Sequence, residues 1–354
     1  MPQALAEAET QTHKISWPEV LEQLLAGENL SKTTACQVME TMLAGQATSA
    51  QISAFLTALR SKGANTAELS GFLQAMWEAA ELVPLDSESL NVVDTCGTGG
   101  DGLQTFNIST ISAVVVAGAG GKVCKHGNRA VSSTSGSADL VESLGINLEM
   151  TPKQVAQCVE EVGIGFCFAP RFHPAMRFVG PTRKEIGIAS VFNFLGPLAN
   201  PARVRRQIVG TSNLSMAQPL AEVLQNLGHS HAMVIFGDSG MDELSITGPS
   251  LVFHLRQGRM RRYEIDPRNF GLQGNSLTEL KGGNAEFNAR IAYSILTGKR
   301  GAPRSIVVLN AAAALVVADQ VGELAEGVQA AEASIDSGQA LKVLEQWQDF
   351  SKTT

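Results

Sequence analysis

Between Trp17 and about Leu82 the apolar residues recur at helical spacing. Ile52, Phe55, Leu56 and Leu59 stand at i, i+3, i+4 and i+7, and Leu69, Phe72, Leu73 and Met76 repeat the stripe. This spacing predicts helices that each turn one face to a core. Thr48 and Gln51 have the spacing of a capping box, and Gly45 and Gly63 stand where helices are expected to end. The segment reads as four short helices forming a small bundle, with one surplus apolar face for a partner. After Pro84 the pattern changes. Short β-branched runs at 91–95, 122–125, 164–168, 207–210, 233–236 and 305–309 alternate with helical stretches such as 109–119, 138–144 and 216–227. Such alternation predicts βαβ units and a mainly parallel sheet. A hairpin, 251–255 and 261–265 about Gln257-Gly258, interrupts it. The expected fold class is α/β: a small N-terminal helical domain, and a large domain with a central, mainly parallel sheet flanked by helices. Residues 1–14 are polar and read as a disordered tail.

Composition narrows the partners. The net charge of −7 over 354 residues argues against a general nucleic-acid binder. Five cysteines without a C-x-x-C pair indicate neither a disulfide framework nor a zinc knuckle, and suit a reducing compartment. The N-terminus lacks the basic and apolar regions of a signal peptide. The apolar runs fall short of the roughly 20 residues that a membrane span needs. The expected location is cytoplasmic, with no membrane partner.

The chemistry concentrates after the first predicted strand, in GTGGDGLQTFNIST, residues 97–110. Gly97, Gly99 and Gly102 spell G-x-G-x-x-G. A dinucleotide site needs an acid about 20 residues further on, and GGKVCKHGNR supplies none there. A Walker loop needs Ser or Thr after its lysine, but Lys122 is followed by Val123. A purely structural turn leaves the crowding of Asp101, Thr105, Asn107, Ser109 and Thr110 unexplained. Backbone N–H groups in such a loop, leading into a helix, favour phosphate. The second predicted strand ends in KHGNRAVSSTSGSADL, where Lys125, His126 and Arg129 bring positive charge to another Gly/Ser-rich loop. Two adjacent strand-end loops of these types suit a polyphosphorylated sugar held from both sides.

These motifs, with FHPAM, FNFLGPLANP and MDELS, resemble in order and spacing the anthranilate phosphoribosyltransferases of tryptophan biosynthesis. The resemblance runs from about Leu21 to Val317, and VVLNAAAALVVA is similar to that family's C-terminal strand and helix. Nucleoside phosphorylases of the same fold share a looser form of the motifs. The resemblance implies transfer of phosphoribose from its pyrophosphate donor to the amine of anthranilate, with no covalent nucleophile. It further implies a helical domain at 15–88, joined by a segment at about 173–197, and a phosphoribosyl-binding α/β domain at 89–172 and 198–354. Gly97, Gly100, Asp101, Thr105, Asn107, Ile108, Ser109 and Thr110 would contact the donor. Lys125, His126, Gly127, Asn128, Arg129, Ala130, Val131, Ser132, Ser133 and Ser137 would close over it. Ser109 would hold one Mg²⁺, and Asp242 with Glu243 a second. Anthranilate would meet Gly97, Asn128, His173 and Arg183, the last through its carboxylate. A homodimer through the helical domain is implied as well.

The chain departs from the usual family pattern at Ala189-Ser190, Trp77 and Ser305. Two other activities fit the fold less well: pyrimidine nucleoside phosphorolysis, against which KHGNRAV and MDELS speak, and a non-catalytic nucleic-acid-binding role, against which the acidic charge and the intact Ser109, Asp242 and Glu243 speak.

Overall fold

The computed structural model describes residues 15–130, 134–274 and 276–353. The expected tail at 1–14 lies outside the described residues, as do Val131, Ser132 and Ser133. Four helices open the described residues: α1 Trp17–Leu25, α2 Lys32–Leu43, α3 Ser49–Lys62 and α4 Thr66–Glu78. Their starts are written locally. Ser31 caps α2 by accepting from Thr34 N at 3.0 Å. Thr48 and Gln51 close both bonds of a capping box at α3, at 3.2 and 2.9 Å. Asn65 and Glu68 do the same at α4, at 2.8 Å each. Each such cap is worth about 1 kcal/mol. The predicted stripes meet in the bundle core, where Phe55 and Phe72 pack edge to face at 5.9 Å. Glu68 is fully buried there, and Leu30 N and Lys62 Nζ donate to its carboxylate at 2.9 Å each.

Among the described residues seven strands form one sheet: β1 Val93–Gly97, β2 Val123–Gly127, β3 Ile164–Phe168, β4 Arg206–Gly210, β5 His231–Phe236, β6 Ser250–Arg256 and β7 Arg259–Ile265. Their order is β3-β2-β1-β4-β5-β6-β7. Neighbours from β3 through β5 run parallel, and the hairpin β6-β7 is antiparallel. The first two strands run two residues beyond the predicted ends, so each finishes on a loop glycine. The helix Leu214–Asn226 packs between one sheet face and α4, so the bundle and that face share one core. The later segments Pro174–Phe178, Gly180–Ile186 and Phe192–Leu198 pack on α2, α3 and α4 in turn. The other face is covered by Ile108–Gly118 and Ala302–Val317. Among the described residues no helix is long and apolar enough to cross a membrane.

One predicted strand is corrected. Residues 305–309 lie inside the helix Ala302–Val317, and the strand that the resemblance implied there is absent. Every residue from Ile306 to Val317 is buried. A helix buried all round has no polar face, so its 3.6-residue period is invisible, and Ile306-Val307-Val308 mimics a strand. Pro303 in the first turn and the alanines at 311–314 favour the helix.

Candidate active site

The sheet order reverses between β1 and β4, and open α/β sheets bind ligands beyond the strand ends at such a point. Gly97 and Gly210 are paired residues ending those two strands. The chain after β5 folds back over them. A Cβ on Gly97 would stand 2.2 Å from Asp242 Oδ2, and one on Gly210 1.6 Å from the Asp242 carbonyl oxygen. Only glycine at both positions lets this acidic segment sit down on the strand ends.

Five expected residues, Asp101, Ser109, Lys125, Asp242 and Glu243, converge here. Gly99 N donates to Asp242 Oδ2 at 2.7 Å, and Ser109 N donates to Glu243 Oε1 at 3.2 Å. Lys125 is buried beneath them; its Nζ donates to the Thr95 carbonyl and, at 3.2 Å, to Ser109 Oγ. Asp101 Oδ1 accepts from Leu103 N at 3.0 Å, whereas Oδ2 is buried without a partner among the described residues. Burial, and then the nearby Asp242 charge, pushes Glu243 up to about 8. Burial, and then the Asp101 charge, pushes Asp242 up to about 6. Three carboxylates with one buried lysine leave an excess of negative charge and an orphaned oxygen. A donor set of carboxylates and one hydroxyl fits a hard divalent cation.

The other expected donor residues divide by exposure. Thr105 bridges to Lys281. Asn107 Nδ2 donates to the Ser135 carbonyl at 3.1 Å, and Asn107 Oδ1 accepts from Asn288 Nδ2 at 2.9 Å. Ile108 is turned into the core, and Thr110 Oγ1 is buried with no partner among the described residues. At the second loop Gly127 ends β2, and Asn128 and Arg129 are exposed. Arg129 forks onto Glu142 at 2.7 and 3.0 Å and reaches Asp139 at 3.2 Å, so its charge is already matched. Ala130 N and Gly136 N both donate to Asp139 Oδ2, at 2.9 and 2.8 Å, and Ser137 Oγ donates to the Asn128 carbonyl at 3.4 Å.

On the other side, His126 Nδ1 bonds the Gly196 carbonyl and His173 Nε2 the Ala199 carbonyl, each at 3.0 Å, with ring centroids 5.1 Å apart. Burial lowers His126 to about 3 and His173 to about 4, so both rings are neutral. Arg183 lies over the Phe192 ring at 4.7 Å and has no carboxylate partner among the described residues. Burial lowers its pKa too. A separate cavity of ≈ 200 Å³, lined among others by Leu82, Asp86 and Arg203, contains none of these residues.

Comparison with known proteins decides among the activities that this geometry allows. A glycosyl transferase family, a/b domain, matches residues 89–341, and a glycosyl transferase family, helical bundle domain, matches residues 18–80. The anthranilate phosphoribosyltransferase of Symbiobacterium thermophilum is 48% identical over 332 residues, covering 94% of this chain and 97% of that one. The crystal structure of the Thermus thermophilus enzyme superposes with a TM-score of 0.88 at 39% identity, covering 94% and 99% of the two chains. The Saccharomyces cerevisiae enzyme in complex with PRPP (phosphoribosyl pyrophosphate) and Mg gives 0.88 at 30% identity, covering 96% and 98%. The chain belongs to the anthranilate phosphoribosyltransferases.

Several residues that support this candidate site escaped the motifs. Asp94, fully buried in β1, accepts from Asn200 Nδ2 at 2.9 Å, Gln207 Nε2 at 3.2 Å and His126 N at 3.3 Å. Trp77, one of the departures, donates from Nε1 to the Asn200 carbonyl at 3.2 Å and so ties α4 to the same turn. Asn288 holds Asn107 and also accepts from Gly283 N at 2.9 Å. The signal for such residues is a lone polar side chain in an apolar run, as in VVDTC, because a buried polar group is kept only where it is satisfied.

Proposed function

We propose that this protein transfers phosphoribose from PRPP to the amine of anthranilate, giving N-(5-phosphoribosyl)anthranilate and pyrophosphate in tryptophan biosynthesis. The convergence of Asp101, Ser109, Asp242 and Glu243 on two strand-end glycines carries this reading, in a chain 48% identical to a relative of that name.

Backbone N–H groups of the loop after β1, apart from Gly99 N, which Asp242 takes, would meet the donor's phosphates. Asp242 and Glu243 would hold one Mg²⁺ and Ser109 another, two per site. Bound there, Mg²⁺ neutralises charge developing on the departing pyrophosphate. Arg183 pairs with the anthranilate carboxylate, for which a planar guanidinium is suited, while Gly97 and Asn128 face the amine. His173, neutral and bonded to the Ala199 carbonyl, is a wall of the acceptor's path. No group of this chain attacks the sugar; the amine is itself a nucleophile, and aligning two bound substrates is worth roughly 7–11 kcal/mol.

The helical domain is assigned to 15–88, with 173–197 packed on it, and the α/β domain to 89–172 and 198–354. Closure of one on the other would bring Arg183 toward the donor. The protein is assigned to the cytoplasm as a homodimer through its helical domain, where Leu25 is 70% exposed. The reading is tested by complementation. The gene should restore growth without tryptophan to a strain lacking this activity, and thymidine with phosphate should yield no thymine. Failure to complement despite soluble expression, or thymidine cleavage, overturns it.

A further inference from the structure

Asp242 and Glu243 sit in a segment between β5 and β6 that is mostly neither helix nor strand, yet is deeply buried. Met241, Leu244, Ser245 and Ile246 have no exposed surface. Buried irregular backbone must find hydrogen-bond partners outside the regular ladders. For the residue that follows Glu243, a single side chain supplies both. Leu244 N donates to Asn310 Oδ1 at 2.9 Å, and Asn310 Nδ2 donates to the Leu244 carbonyl at 3.0 Å. The remaining Nδ2 hydrogen reaches the Ile306 carbonyl at 2.9 Å. Both amide hydrogens are therefore used and the oxygen is engaged, so oxygen and nitrogen are assigned by their partners.

Asn310 is 4% exposed, in the middle of the apolar helix Ala302–Val317. The helix itself gains little from it; an apolar side chain of that volume would pack there without the desolvation cost of an amide. The asparagine serves the segment opposite. On the near side the two carboxylates are met by Gly99 N and Ser109 N, and on the far side the chain is fixed one residue later by Asn310. A slip of the backbone at Leu244 would carry Glu243 off Ser109 N and Asp242 off the strand-end glycines. We propose that Asn310 is the positioning residue of the cation site, setting the placement of the Asp242 and Glu243 carboxylates without touching metal or substrate. This rests on the reading of those carboxylates as cation ligands.

The test uses Mn²⁺ as the probe, with the full-length protein and PRPP, and electron paramagnetic resonance reads free Mn²⁺. Asn310→Leu removes both bonds to Leu244. Asn310→Asp keeps the acceptor for Leu244 N but sets an oxygen against two carbonyls, and carries the test should the leucine variant fail to fold by circular dichroism. Ser112→Ala is the control: Ser112 Oγ, on the helix Ile108–Gly118, donates to the Val307 carbonyl at 3.2 Å on the helix of Asn310, and bonds neither Leu244 nor the two carboxylates. The expected result is Mn²⁺ affinity weakened about tenfold or more in the Asn310 variants, the range for outer groups that orient metal ligands. The Mg²⁺ concentration for half-maximal rate should rise in parallel, with the anthranilate KM within about twofold of wild type. Ser112→Ala should lower the melting temperature without moving Mn²⁺ affinity. Wild-type affinity in a folded Asn310 variant, or an equal loss in Ser112→Ala, overturns the positioning role alone. A wild-type protein that binds no Mn²⁺ overturns the cation site itself.

Discussion

The loops above the β1–β4 junction and the segment at 173–197 are unbalanced in opposite senses. At the junction, Asp101, Asp242 and Glu243 crowd together, two of them pushed well above the usual carboxylate range, with one buried lysine for relief. In the other region Arg183 lies over Phe192 with no carboxylate partner among the described residues, and His173 is neutral, as is the His126 ring of β2 that packs against it. One region lacks cations and the other lacks an anion. Each deficit is the complement of one proposed substrate: a metal-bound pyrophosphate for the first, a carboxylated aromatic amine for the second. On the proposed roles specificity is divided spatially, and damage to either half should leave the other intact.

The largest effect should come from emptying the first deficit. Asp242→Asn with Glu243→Gln should lower kcat/KM by about 10²–10³, the scale of removing charge stabilisation from a transition state. Because the carboxylates repel each other, the metal-free melting temperature of that variant should equal or exceed that of wild type. A fall in both quantities would mean that the pair is structural and would erase the contrast. Next in size, Arg183→Ala should raise the anthranilate KM roughly ten- to a hundredfold, as for loss of a charge-assisted pair, while the PRPP KM stays within about twofold. An equal rise in both constants would join the two regions into one. Lysine should rescue only in part, since it lacks the planar fork.

A smaller effect follows from close packing. Gly97→Ala places a methyl group against Asp242 and should destabilise the fold by about 1–3 kcal/mol, read by denaturant unfolding. The pH response is gentlest. In the folded protein His126 and His173 titrate at about 3 and about 4, below the ordinary 6.5. Between those values and 6.5 the unfolded chain binds protons that the folded chain refuses. These rings therefore cost nothing above pH 6.5, and stability is lost as pH falls through that window. His229, His231 and His254 add the same sign, with values of about 3, 4 and 4. Melting temperature against pH checks this, and His173→Gln, which keeps a donor for the Ala199 carbonyl, should flatten the acid limb slightly.

What the sequence made legible follows from locality. Capping pairs such as Thr48 with Gln51 and short apolar runs such as 164–168 are set by neighbours along the chain, so they read directly. The glycine and acidic motifs named the residues of the first region, but the reason that Gly97 must be glycine is a contact with Asp242, 145 positions later, which no local pattern contains. The helix Ala302–Val317 was misread in part because burial on all sides erases its period. Arg129 shows the converse: a basic residue in a phosphate-suited motif, whose charge the fold gives to Glu142 and Asp139. Asn310 and Asn288 were invisible for a third reason, since their work is done on distant segments, the backbone of Leu244 and the side chain of Asn107.

The most direct test of the account is a steady-state assay of the purified protein with PRPP, anthranilate and Mg²⁺, following the loss of anthranilate fluorescence and the release of pyrophosphate. The account predicts stoichiometric N-(5-phosphoribosyl)anthranilate and pyrophosphate, saturable in both substrates and abolished by chelation of the metal. No product at saturating substrates and Mg²⁺, from protein shown to be folded, would contradict it.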